Sequence, residues 1–122
     1  MGERTIRLGD IAHARSGDKG SSATLGVFAY TETGYRFLSE HLTEPVMAAY
    51  FRPMGCDSVE RYEVPKLQTL NFVLYEILTG GGSRSLRIDA QGKAIGQIAL
   101  EMTLEISDEI LTRCVPAKGP IE

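Results

Sequence analysis

Eight consecutive residues, His13-Ala14-Arg15-Ser16-Gly17-Asp18-Lys19-Gly20, hold two fixed cations, an imidazole, a carboxylate, a hydroxyl and two glycines. None of these polar side chains suits an apolar core, and a plain connection rarely needs them all. Arg15 offers a planar fork of donors and Lys19 a mobile point charge, so together they suit a carboxylate or a phosphate. Gly17 and Gly20 let the backbone take positive φ and approach another surface closely. Asp18 is placed to orient either cation or His13. His13 and Asp18 are the candidate acid–base groups. Ser16 is a weaker candidate for a nucleophile, because no base is fixed beside it in sequence. The competing reading is a solvated turn whose Asp and Ser cap the backbone.

A second polar feature is Thr79-Gly80-Gly81-Gly82-Ser83, followed by Arg84-Ser85. Three glycines before a helix start would aim the first backbone N–H groups outward, which suits an anion without any side-chain charge. The Gly-Lys-Ser/Thr ending of a Walker loop is missing, so nucleotide binding is not implied. The simpler reading is a glycine linker with Ser83 as helix cap. If the segments meet, Arg15, Ser16, Gly17 and Lys19 would share one anion pocket with Gly81, Gly82 and Ser83. Asn71, a polar residue on an otherwise apolar strand, would stand near it, since a buried amide needs partners.

The 122 residues suffice for one domain and a sizeable core. A net charge of −3 with no basic stripe argues against a general nucleic-acid binder. No apolar run approaches the length of a membrane span, and Met1 to Ile6 lacks the apolar centre of a signal peptide. A cytoplasmic location is therefore expected. Cys56 and Cys114 lie far apart and outside any Cys-x-x-Cys pair, so both are expected as free thiols. His13 and His41 have no partner at metal-ligand spacing; His41 reads as a surface residue. No metal and no cofactor are expected.

The elements that position these residues follow from pattern. Thr5 to Leu8 alternates and predicts a short strand. Asp10 is placed to cap a helical turn through Ala14, and the charged segment then runs as a loop to Ser22. Residues 23–30 are apolar on both faces apart from Thr24, which predicts a strand buried on both sides. Tyr35, Leu38, Leu42, Val46, Ala49 and Tyr50 recur at helical spacing. Thr43-Glu44-Pro45 breaks that run into two helices, with Thr43 as cap and Pro45 in the first turn. Pro53 and Gly55 end the second. Strands are predicted at 58–64 and 70–77, joined through Pro65-Lys66-Leu67. Residues 86–102 fit a helix, through Ile88, Ile95, Ile98, Ala99 and Met102, or a hairpin turning at Asp89 to Lys93; the helix is preferred. A short strand over 103–106 would follow, with a domain over 1–112 and a loose tail over 113–122.

This order fits an α+β, ferredoxin-like split βαβ sandwich with an extra N-terminal strand, 23–30 and 70–77 being the central strands. Helices would cover one sheet face only. The other would be covered by the N-terminal segment or by a second copy of the chain, so a homodimer is expected.

The motifs His13 to Gly20, Glu60-Arg61-Tyr62-Glu63-Val64-Pro65, Leu70-Asn71-Phe72-Val73-Leu74, Gly80-Gly81-Gly82 with Ser85-Leu86-Arg87, and Asp89 to Lys93 resemble the C-terminal domain of acyclic terpene utilisation (AtuA) proteins. The resemblance runs from about Arg7 to Ile106. It implies a ferredoxin-like fold and a pathway neighbourhood, the bacterial breakdown of citronellol- and geraniol-type terpenoids through acyl-CoA intermediates. It supplies no catalytic residues. In that family the domain usually follows a much larger N-terminal domain, absent from these residues, which implies a partnership with a separate large-domain protein. Two functions are then in view. One is an accessory binding subunit for a small anionic metabolite or acyl-CoA. The other is a small acyl-CoA hydratase or lyase using His13 or Asp18, with Arg15 and Lys19 holding the anion. A structural assembly domain without ligand is the third.

Overall fold

A computed structural model describes residues 2–77 and 93–116 of the chain. The elements are β1 (Glu3–Arg7), β2 (Ala12–Lys19), β3 (Ser22–Ala29), α1 (Glu32–His41), α2 (Glu44–Phe51), β4 (Ser58–Val64), β5 (Thr69–Tyr75), α3 (Lys93–Leu100), β6 (Thr103–Ser107) and α4 (Asp108–Cys114). β2, β3, β5 and β4 lie side by side, in that order, as an antiparallel sheet. β1 and β6 form a separate antiparallel pair. Helices α1, α2 and α3 pack on one face of the large sheet. The architecture is α+β, consistent with a ferredoxin-like fold carrying an extra strand, and β3 and β5 are the central strands as expected.

The extra strand changes the sheet. In the simple split βαβ arrangement the last strand would lie beside β3. Here β2 takes that place, and β6 pairs with β1. Residues 12–19 are therefore not a loop. They form a hairpin with β3 through Gly20 and Ser21, and Gly20 has φ +63°, the positive value that tight hairpin turns require. The expected helical turn through Ala14 shrinks to a 3₁₀ turn over Leu8–Asp10. Strand alternation explains why so many polar residues are tolerated: His13, Arg15 and Lys19 project to the uncovered face, and Asp18, near the strand's end, is exposed on the other.

The central strands are likewise not buried on both sides. Ala23, Leu25 and Val27 of β3, and Leu70, Phe72 and Leu74 of β5, are almost fully buried beneath the helices. Thr24 and Asn71 are exposed, and Phe28, Val73 and Tyr75 only half-buried, on the other side. Asn71 is thus an exposed amide, not a buried one.

The helix breaks follow the sequence. Thr31 caps α1, accepting from Gly34 N at 2.9 Å, and Thr43 caps α2, with Pro45 in its first turn. Gly55, at φ 96°, ends the following 3₁₀ turn. The buried stripe is Phe37, Leu38, Leu42, Met47 and Phe51. The break at Thr43 resets the helical phase, so Val46 and Ala49 face outward. Of the predicted helix 86–102, residues 93–100 are helical; the rest of its N-terminal half lies outside the described residues. α4 was not expected. Ser107 caps it, with Asp108 and Glu109 in the first turn, and it carries Arg113 and the fully buried Cys114 into the stretch read as a loose tail.

Candidate functional site

Alternation along β2 divides the eight-residue polar cluster. His13, Arg15, Gly17 and Lys19 share one parity, and Ala14, Ser16 and Asp18 the other. The register across the sheet sets Arg15 opposite Gly26, Gly26 opposite Asn71, and Asn71 opposite Tyr62. One row of the open face therefore reads Arg15, Gly26, Asn71, Tyr62. The neighbouring rows bring His13 beside Phe28, their ring centroids 6.0 Å apart, and set Glu60 opposite Val73.

Gly26 shapes the centre of this face. A Cβ there would lie 3.1 Å from Asn71 Oδ1 and 3.1 Å from the Phe28 ring. The missing side chain lets both groups lean across β3. A shallow cavity of about 450 Å³ results, lined by Arg15, Gly17, Thr24, Gly26, Phe28 and Asn71 among others. Arg15 is exposed, and among the described residues no carboxylate pairs with it.

Two larger cavities are less suited to an anion, because their charges are already matched. In one, of about 550 Å³, Glu44 accepts from Arg61 N at 2.8 Å and Glu63 pairs with the Arg61 guanidinium at 2.7 Å. In the other, of about 760 Å³, Arg4 pairs with Asp108 at 2.6 Å. A guanidinium already paired with a carboxylate offers an incoming anion little, whereas Arg15 keeps its fork of donors.

The remaining sequence-predicted residues separate. Ser16 turns to the helix side, and its Oγ accepts from Gly96 N at 2.9 Å. Gly96 permits that approach, since a Cβ there would come within 3.2 Å of the same oxygen. Asp18 is exposed and opposite in parity to His13 and Arg15. The start of β3 does lie beside the end of β5: Ser21 Oγ donates to Glu76 at 3.2 Å, and Ser22 Oγ accepts from Glu76 N at 3.0 Å. Gly81, Gly82 and Ser83, the proposed other half of the pocket, lie outside the described residues.

Sequence reasoning missed the far side of this face. Tyr62 and Tyr75 donate to Glu60 Oε1 at 2.6 and 2.8 Å. The hydrogen bond from Tyr62, then that from Tyr75, holds the Glu60 carboxyl below the usual carboxylate range. The same bonds raise both phenols. The period-two pattern of Ser58, Glu60, Tyr62 and Val64 was the available signal. Elsewhere, His41 is an exposed residue stacked on Phe37 at 4.2 Å. Cys56 and Cys114 are buried free thiols, and burial raises both. Among the described residues no group of three or more His, Cys, Asp or Glu could hold a metal, and no helix is long and apolar enough to cross a membrane.

The described residues thus form an α+β domain of ferredoxin-like layering and leave one sheet face open among themselves. Residues 6–105 match the family model of the AtuA ferredoxin-like domain, and the chain belongs to that family. No curated protein and no solved structure matches it.

Proposed function

We propose that this chain is a cytoplasmic binding subunit that holds an anionic small molecule on the open face of its sheet. It would act with a separate AtuA large-domain protein in terpenoid or branched acyl-CoA catabolism. The observation that carries the binding role is Arg15: an exposed guanidinium without a carboxylate partner among the described residues, beside the Gly26 notch and in one row with the Asn71 amide. The fork suits a carboxylate or phosphate, the amide supplies a directed donor, and Phe28 and Val73 offer apolar contact for an attached acyl chain. Lys19, on the same face, adds longer-range attraction. The pathway and the partner rest on family membership alone. Of the two candidate acid–base groups, Asp18 falls on the parity opposite to Arg15 and His13 alone shares its face; a binding role needs neither of them.

Calorimetric titration with acetate, coenzyme A and acyl-CoAs tests this. The native chain should bind at least one of them, and Arg15→Ala should weaken binding about 10- to 100-fold, the worth of one hydrogen bond to a charged group. The circular dichroism spectrum should stay unchanged, which shows that the variant is folded. Unchanged binding by Arg15→Ala would remove the site. Sedimentation of the purified chain mixed with a purified AtuA large-domain protein tests the partnership, and two independent boundaries would exclude it.

A further inference from the structure

The open face is electrostatically lopsided. Its β2 edge carries Arg15 and Lys19, with His13 beside them, and its β4 edge carries Glu60 between two tyrosines. The positions between, on β3 and β5, are Thr24, Gly26, Phe28, Asn71, Val73 and Tyr75, none of them charged. Strands about 4.8 Å apart put the two edges about 14 Å from one another, too far for Arg15 and Glu60 of one chain to neutralise each other.

We propose that two copies of the chain pair through this face about a two-fold axis running along the strands. That axis lays β2 of each copy over β4 of the other and keeps each row in place. Arg15 then meets Tyr62 of the second copy, whose hydroxyl is already 2.6 Å from Glu60 Oε1, so the carboxylate lies within reach of the guanidinium. Packed sheets stand about 10 Å apart, a gap that an arginine and a glutamate extended towards each other can span. The contact occurs twice by symmetry. A two-fold axis across the strands would instead lay β2 over β2 and set Arg15 and Lys19 against their own copies, an arrangement that like-charge repulsion opposes. Between the charged margins, the half-buried Phe28, Val73 and Tyr75 lose their remaining contact with water. Gly26, with no side chain, leaves space at the centre.

This pairing does not rest on the anion reading. Both draw on the same guanidinium, so they exclude one another, and the dimer is the ligand-free state. The test is molar mass by sedimentation at tens of micromolar and low salt, without ligand. The native chain should give the mass of two 13.4 kDa chains. Arg15→Glu and Glu60→Arg should each give a folded monomer by circular dichroism, and the double variant should restore the dimer. A monomeric native chain, which would leave the face to water or to another protein, overturns the proposal. So do single variants that stay dimeric, or a double variant that does not recover. The anion reading is judged separately, by titration of Arg15→Ala.

Discussion

Arg15 and Ser16 are neighbours in sequence and do different work. Pleating turns one to the open face and the other to Gly96 of α3, where a 2.9 Å hydrogen bond ties the helix to the sheet edge. Glu60 shows the same dependence on surroundings. Its carboxylate is fully exposed, yet two phenol donors favour the charged form and lower its titration below the ordinary 4.5. A depressed carboxyl contributes stability above its unfolded value and loses it as pH falls through the folded one; for Glu60 that window lies below 4.5. Tyr62→Phe should move its midpoint back up, as read by carboxyl-carbon NMR titration. An unmoved midpoint would mean that the phenol does not hold the carboxylate in solution.

At the scale of elements, Arg61 joins the sheet to the end of α1. It points to the helix side, is 17% exposed, and donates to Ser39 O at 2.9 Å and Leu42 O at 3.0 Å. These are carbonyls of the last turn and cap of a helix, which have no partner within the helix itself. A cation there also suits the negative end of the dipole. Replacing Arg61 by Met keeps the apolar stem but removes both donors, and should cost about 2 kcal/mol in urea unfolding. Lys should recover only part of that, because one ammonium cannot reproduce the planar fork. Thr31 makes a comparable joint at the other end of α1. It caps that helix and donates to Arg113 O of α4 at 2.8 Å.

For the whole molecule, the core lies between the large sheet and the helices, around Phe51, Phe72, Leu38, Leu42 and Met47, all at most 1% exposed. The two cysteines sit in this interior and not at the open face. Burial raises both thiols, so little reactive thiolate is present at neutral pH. Thiol titration should therefore be slow in the native protein and should find two groups per chain once it is denatured, without a reductant. Fast labelling of the native protein would mean that the layers open readily. Finding no thiols after denaturation would indicate a disulfide.

Much of the local structure was legible in the residues themselves. Thr43, Pro45 and Gly55 mark helix ends through short-range hydrogen bonds and fixed backbone angles, and each does so in the structure. The central strands were also readable, because the order of elements fits a ferredoxin-like sheet with these two strands inside it. The conflicting readings arose where local chemistry is indifferent. A polar octapeptide suits a loop or an edge strand equally well, and only pairing with β3 makes residues 12–19 a strand and so parts Arg15 and His13 from Ser16 and Asp18. The partner of β6 is likewise a matter of competition between edges, decided by where β2 lies. Chemistry in the sequence named Arg15 as an anion-seeking group. Long-range pairing alone decided that Gly26 and Asn71 would stand in its row, with Glu60 and its two tyrosines at the opposite margin, because register between strands distant in sequence is set by the packing of the whole sheet.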